Sequence, residues 1–513
     1  MHIGKAIQHH SARMSRKKAI IDSGKSLSYL ELNSRANKLG NALLDFGLAK
    51  GDKVATLLHN SHQFIEVYIA LTKVGMVIVP INCRLVESEI EYILNHSDAK
   101  ILIFEEEFID KMDLLRKNCP QIDHYINLGS LQDIKTLNFE SLISNSEEKE
   151  PQVILDDGDY GFMFYTSGTT GRPKGCLIPH KNMIDGWIIY NAILFGLTEH
   201  DIYYGGSPFY HSFVVQALQQ LFVGGTICVL KHFDPIEALK LIEREKVSIV
   251  GMVPTMFHMM INLQEDIKNS YDLSSVKTLT TAGSPMHMVT KEAILKLFGN
   301  AKMFDYYGST ETGMMLCLRP EDQLRKPGSI GQPVLPNEVR LVDHEGRDVP
   351  NGEVGTLYMK APGLMAEYYK MPEETKKIFW GDWLTVGDMG KRDKEGYYYM
   401  VDRKTDMLIS GGVNIYPAET EAVLYKHPKV LHAAVIGIPD EKWGESLKAL
   451  IVLKKGQDVN EEEIKQFCMG KISKIKIPKS VEFVSDLPMT PSGKVEKRKL
   501  REKYWKGHET RVY

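Results

Sequence analysis

The sequence predicts an α/β protein with a large N-terminal unit followed by a small one, and three observations carry that expectation. Strand-like and helix-like segments alternate at short intervals through residues 28–104 and again beyond 180, the pattern of parallel sheet covered by helices. Hydrophobic residues make up 43% and charged residues 25% of 513 positions, enough apolar chain for a sizeable core and too much for a disordered tail. Near residue 400 the charge changes sign: 403–513 carries 21 Lys+Arg against 15 Asp+Glu, a local +6 that leaves −9 on the remainder of a chain of net −3.

The elements follow in order. Ser28 and Glu31 form a capping-box pair ahead of Leu32, Ala36, Leu39 and Leu43 at helical spacing. A strand over 54–58, a helix over 61–73, a strand over 76–81, a helix over 86–96 and a strand over 100–104 come next. Alternation resumes around 234–253 and 275–303. The boundary is placed between residues 402 and 403, in the charged run 401–406, giving units 1–402 and 403–513. Within 471–506 the basic excess is sharpest, 11 against 4.

Composition excludes several classes. The small net charge gives no global attraction to nucleic acid. The six cysteines have neither CxxC nor zinc spacing, which predicts reduced, buried thiols and no metal cluster. The N-terminus lacks the apolar run of a signal peptide, and the apolar stretch 213–230 is broken by Gln216, Gln219, Gln220, Gly224 and Gly225, so no transmembrane segment is expected. The expected location is the cytoplasm.

The most informative segment is YTSGTTGRPKG at 165–175. Its glycines let backbone amides approach a ligand, and its hydroxyls with Lys174 supply donors suited to phosphate oxygens. It follows a compact apolar strand, 161–164. It is not a Walker A loop, because Pro173 precedes Lys174 and Gly175 follows it. No GxSxG occurs, which excludes an α/β-hydrolase elbow.

This loop resembles the signature of the adenylate-forming enzymes, the superfamily of acyl- and aryl-CoA ligases, peptide-synthetase adenylation domains and luciferases. Four further segments resemble it in the same order: TAGSP at 281–285, YGSTETG at 307–313, Gly387-Asp388 with Asp402-Arg403, and PSGK at 491–494. The resemblance covers about residues 25–505. It implies mixed β-sheets covered by helices in the large domain and a mobile α+β C-terminal domain.

Site roles are implied by the same resemblance. Thr166, Ser167, Gly168, Thr169, Thr170, Gly171 and Lys174 would hold the β- and γ-phosphates of ATP, with Thr170 and Glu311 at Mg²⁺, a cation that prefers hard oxygen ligands. Thr310 would contact the α-phosphate. Tyr307 would stack on adenine with Tyr306, Gly308 and Ser309 beside it, Asp305 would accept from the adenine amino group, and Gly283, Ser284 and Pro285 would form the opposite wall. Asp388 and Arg403 would contact the ribose. Lys494 would bridge the carboxylate and α-phosphate, acting by orientation and electrostatics. Gly411 and Gly412 would close beside a thiol tunnel after domain rotation. Two positions depart from the superfamily pattern: Val386 stands where a Thr is usual, with Thr385 one residue earlier, and a neutral Thr405 occupies the pivot.

His211 in PFYHS at 208–212 resembles the segment bordering the acyl pocket of CoA ligases, and the absence of an Asp there disfavours a free α-amino acid. Phe213, Met252, Val253, Met314 and Met315 are candidate pocket residues. The Lys-rich stretch 471–479 reads either as a solvated surface or as a landing for coenzyme A phosphates. Trp443 is read as structural. Three functions stay open: a carboxylic acid–CoA ligase, with a fatty acid as the leading substrate; a stand-alone enzyme loading a carrier-protein phosphopantetheine; and an inactive nucleotide-binding relative. Oligomeric state is not legible, a homodimer being compatible.

Overall fold

A computed structural model describes residues 1–129, 136–166, 172–284, 286, 288–403, 406–410, 413–440, 443–489 and 495–506, the side chains of 403, 409, 413–414 and 444 excepted. Ser167, Gly168, Thr169, Thr170, Gly171, Pro285, Thr405, Gly411, Gly412 and Lys494 therefore lie outside the described residues, as does the side chain of Arg403. The chain divides into two compact units: 1–339 with 359–384, and 340–358 with 385–513.

In the first unit the short-range signals act as read. Ser28 caps the helix Tyr29–Asp45 by accepting from the Glu31 amide, while the Glu31 carboxylate accepts from the Ser28 amide, a reciprocal capping box. Leu32, Ala36, Leu39 and Leu43 are all buried. Strand Lys53–Leu57, helix His62–Val74, strand Val77–Pro80, helix Glu87–Ser97 and strand Ala99–Phe104 follow within a residue or so of their expected bounds. Gly75, at φ +70°, ends the second helix in the left-handed conformation that glycine adopts without a Cβ clash.

Two sheets result. One runs, in spatial order, Glu367–Tyr368, Lys174–Pro179, Tyr160–Thr166, Val77–Pro80, Lys53–Leu57, Ala99–Phe104, His124–Asn127 and Leu137–Asn138, mainly parallel, with Lys174–Pro179 antiparallel to both its neighbours. The other includes Thr226–Val229, Ile202–Gly205, Ile249–Gly251, Thr278–Ala282 and Lys302–Ser309 as parallel neighbours, followed by antiparallel Gly313–Leu318 and Ser329–Pro333. Helices cover both sheets over cores that include Leu57, Val79 and Leu102 in one and Val250, Leu279 and Met303 in the other.

The apolar stretch after 213 supplies a short helix, Val214–Phe222, whose three glutamines are buried and bonded inward rather than left as interruptions. Gln216 and Gln220 donate to Thr280 Oγ1 and to the Asp201 carbonyl, and Gln219 to the Trp187 carbonyl. Among the described residues no helix is long and apolar enough to cross a membrane. The six cysteines are free thiols.

The second unit is α+β. Strands Val430–Asp440 and Gly444–Leu453 form a long antiparallel pair, joined by Leu408–Ser410, Val413–Ile415 and, parallel to the second, Ser480–Phe483. Helices Pro417–Leu424 and Glu461–Cys468 pack on this sheet around Leu408, Leu424, Val435, Ala449 and Ile464.

Candidate active site

Parallel strands bring their carboxyl ends to one edge of a sheet, where open α/β sheets bind ligands. The segments after Gly205, Gly251, Ala282 and Ser309 leave that edge side by side. They carry His211, Met252 and Val253, the Gly283–Ser284 turn, and Thr310 with Glu311. Ala282 pairs with Tyr306 and Thr281 with Asp305, so both proposed adenine walls emerge from adjacent strands. Gly283 has φ +94°, and a Cβ there would sit 3.7 Å from Phe213 and Val253, which borders the turn with two candidate pocket residues. Gly283, Ser284 and Gly308 are exposed.

The first sheet reaches the same place from its own carboxyl ends. Thr166, last in its strand, directs Oγ1 to within 3.4 Å of Glu311 Oε1. From the loop after Lys53–Leu57, buried Asn60 donates to the Ser207 carbonyl at 3.1 Å and accepts from the Phe209 amide at 2.7 Å, and Tyr68 donates to the Phe209 carbonyl at 2.8 Å. The segment presenting His211 is thereby fixed by side chains of the loop after Leu57 and of the helix His62–Val74.

Glu311 is 8% exposed. Tyr368 donates its hydroxyl to Glu311 Oε1 at 2.8 Å, and the Met365 amide donates to the Glu311 carbonyl at 2.8 Å. Burial, then the Glu311 charge, push the Tyr368 hydroxyl far above its ordinary range, which keeps it a donor. The turn is held from below: the Ser309 amide donates to Thr312 Oγ1 at 3.0 Å, and Gly313, at φ +67°, lies against the Trp187 indole, which donates to the Gly363 carbonyl at 2.6 Å. Among the described residues both side-chain hydrogen bonds to Glu311 fall on one oxygen. A buried carboxylate beside the Thr166 hydroxyl is a hard-oxygen donor set, which fits Mg²⁺.

Lys174 pairs with Glu374 at 2.8 Å and lies 4.9 Å from the centre of the Tyr368 ring. Hydrogen bonds from Lys174 and then Lys377 pull the Glu374 carboxyl down to about 2. In this geometry the Lys174 ammonium is committed to a carboxylate. Asp305 pairs with buried Lys291 at 2.7 Å, and Lys291 also donates to Gln323. Burial pushes the Asp305 carboxyl up despite that partner. Tyr306 accepts from Gln216 at 3.2 Å and packs near Phe213 and Phe195; both Tyr306 and Tyr307 are half-buried.

In the second unit Asp388 and Arg403 are directly opposed in the pairing of Asp388–Arg392 with Tyr398–Arg403. Asp388 is buried and follows Gly387 at φ +80°, whose amide donates to Thr385 Oγ1 at 3.1 Å. Thr385 thus organises the turn from one residue before Val386. Of the 471–479 lysines, Lys471 donates to the Phe467 carbonyl, Lys476 pairs with Glu419, and Lys479 pairs with Asp440 while lying 5.2 Å from the Trp443 ring. Trp443 is 43% exposed.

Sequence reasoning missed Tyr368, Trp187, Glu374, Asn60 and Lys291. Each is distant in sequence from the group it serves, and no local spacing marks it.

Comparison with known proteins adds independent findings. Residues 7–369 match the family described as AMP-binding enzyme, and 419–494 match the AMP-binding enzyme C-terminal domain. A long-chain-fatty-acid–CoA ligase, FadD13 of Mycobacterium tuberculosis, is 34% identical over 93% of both chains. A fatty acid–[acyl-carrier-protein] ligase, ScoC of Streptomyces coeruleorubidus, is 31% identical over 95% of this chain and 93% of its own. The crystal structure of the anthranilate CoA ligase AuaEII with anthranoyl-AMP superposes with a TM-score of 0.87 at 28% identity, covering 98% of this chain and 97% of that one.

Proposed function

Because this chain belongs to the adenylate-forming superfamily and is an acid–thiol ligase of the acyl-CoA synthetase type, we propose that its acid is a fatty acid, its acceptor coenzyme A and its metal Mg²⁺. ATP and a small-molecule carboxylic acid are its substrates. The acid's carboxylate attacks the α-phosphate, giving acyl-AMP and pyrophosphate, and a thiol then takes the acyl group and releases AMP. The observation that supports adenylation with a metal is the buried Glu311 carboxylate, held by Tyr368 at 2.8 Å and reached by Thr166 at 3.4 Å; the fatty acid and coenzyme A are supported by the likeness to FadD13.

Residues 166–171 cradle the terminal phosphates and Lys174 joins them on exchanging Glu374 for phosphate oxygens; Thr170 and Glu311 would hold the metal, and Thr310 contacts the α-phosphate. When bound, Mg²⁺ neutralises charge on the phosphates. Tyr307, Gly308 and Ser309 face adenine opposite Gly283, Ser284 and Pro285; Asp388 and Arg403 hold the ribose. His211, fixed through Asn60 and Tyr68, borders the acyl group. Lys494 holds carboxylate and α-phosphate together, a positional and electrostatic role without proton transfer. Acyl-AMP is a reactive mixed anhydride, and closure of the 410–414 segment about a pivot at the 402/403 boundary shields it while the thiol approaches.

The carrier-protein reading is kept because of the 31% identity to ScoC. One experiment separates the readings. A panel of C4–C18 and aryl acids is assayed for AMP release with and without CoA. Strong acceleration by CoA with one chain-length class supports the proposal; AMP release indifferent to CoA but stimulated by a phosphopantetheinylated carrier overturns it.

A further inference from the structure

The stems of the phosphate loop are gripped from outside the hairpin that bears it. The loop hangs between antiparallel strands Tyr160–Thr166 and Lys174–Pro179, whose last register pair is Thr166 with Lys174. One helix, Glu87–Ser97, touches both stems. Its Tyr92 hydroxyl donates to the Pro173 carbonyl at 3.1 Å, and the Arg172 guanidinium lies 5.5 Å from the Tyr92 ring. One turn on, His96 Nδ1 meets the Tyr165 hydroxyl at 2.7 Å. Tyr92 and His96 stack with centroids 5.4 Å apart, as i and i+4 neighbours on one face. The Tyr165 ring has its place because Gly175 has no side chain: a Cβ there would come within 3.1 Å of it. Tyr369, whose amide donates to the Gly175 carbonyl, closes the cluster edge-on to His96 and donates its hydroxyl to Asp98 at 2.7 Å.

We infer that Tyr92 and His96 are positioning residues for ATP. They fix the stems of the 166–174 loop, at Tyr165 on one side and at Arg172 and Pro173 on the other, so that the residues between them are offered to the terminal phosphates from two anchored ends. The inference rests on the reading that this loop holds those phosphates. Anchored stems cost nothing further to order at binding, whereas a stem set free must lose that freedom when ATP binds. The clamp lies on the phosphate side, so its loss falls on ATP and not on the acid.

The test uses the full-length enzyme with Tyr92→Phe, His96→Ala and His96→Asn, the Asn amide offering both a donor and an acceptor where Nδ1 meets the Tyr165 hydroxyl. Tyr92→Phe and His96→Ala each raise KM for ATP about three- to tenfold, the worth of one hydrogen bond. His96→Asn returns toward wild type. KM for the acid, and thioester formation from supplied acyl-AMP and CoA, which involve no terminal phosphate, stay within about twofold. Unchanged KM for ATP in both variants, or an equal fall in every step, overturns the inference. Thr170→Ala separates it from its premise. If that loop variant raises KM for ATP while the helix variants do not, the clamp alone fails. If Thr170→Ala also leaves KM for ATP unchanged, the phosphate reading fails and the clamp with it.

Discussion

Replacing Tyr368 by Phe removes one oxygen and little else, which makes it a sharp probe of Glu311. Tyr368 is 5% and Glu311 8% exposed, and the hydroxyl donates to Oε1 at 2.8 Å. Water has poor access to compensate, and Thr166 at 3.4 Å is too distant to take over fully. A hydrogen bond to a charged group contributes about 1.5–3 kcal/mol, and each 1.4 kcal/mol is about tenfold in rate. If Glu311 acts in adenylation, Tyr368→Phe lowers kcat/KM for acid- and ATP-dependent pyrophosphate release about ten- to hundredfold. Thioester formation from supplied acyl-AMP changes by less than about threefold, because pyrophosphate has already left. Circular dichroism and melting temperature serve as controls, since the Phe ring fills almost the same volume. Adenylation within threefold of wild type, in a folded variant, would refute the assignment of Glu311 to that half-reaction. Equal loss in both half-reactions would refute it as well.

Lys494→Ala abolishes acyl-AMP formation and spares thioester formation from supplied acyl-AMP, measured by pyrophosphate release and by CoA thioester yield; equal loss in both removes Lys494 from its role. Gly412→Leu does the reverse, and unimpaired thioester release counts against closure of 410–414 on the thiol. Ser28→Ala breaks the reciprocal cap of Tyr29–Asp45 and costs about 1 kcal/mol in urea unfolding without changing KM for either substrate. Glu374 titrates at about 2 rather than 4.5, so its contribution is fully present above pH 4.5 and is lost as pH falls toward 2. The unfolding free-energy gap between wild type and Glu374→Gln accordingly closes over that window, and a gap independent of pH means Lys174 and Glu374 do not interact in solution.

What the sequence made legible was local or contiguous. The capping box at Ser28 spans four residues, and the helix–strand alternation through 104 needs only the apolar period, so both could be read directly. The 165–175 loop is a single run of eleven residues. Long-range partners left no such trace: Tyr368 lies 57 residues from Glu311, and Asn60 is 147 residues from Ser207. Gln216, Gln219 and Gln220 looked like polar breaks in an apolar run, because periodicity cannot reveal that tertiary acceptors await them. A charge count along the chain likewise cannot see that 340–358 clusters with 385–513, since that grouping is made by strand pairing.

The geometry also explains how one site can serve two dissimilar substrates. Thr166, Lys174 and Tyr368 stand on strands of one sheet, with Glu374 on the helix Pro372–Ile378 that follows Tyr368; His211, Phe213, Val253 and the Gly283 turn follow strands of the other sheet, the one that carries Ser309. Their described polar links include Thr166 and Tyr368 to Glu311, and Asn60 and Tyr68 to the Ser207–Phe209 backbone. The second set bonds to main chain, so it fixes where the acid-side segment stands without dictating its side chains. On the proposed function, residues such as Phe213 and Val253 can therefore vary with the acid while the phosphate side keeps its geometry. The first set ends on a side chain, Glu311, and has no such freedom: removing either donor alters the group itself. If the proposed function holds, fixed chemistry at the phosphates beside an adaptable acyl wall follows from which atoms join the two halves of the site: a carboxylate on one side, main chain on the other.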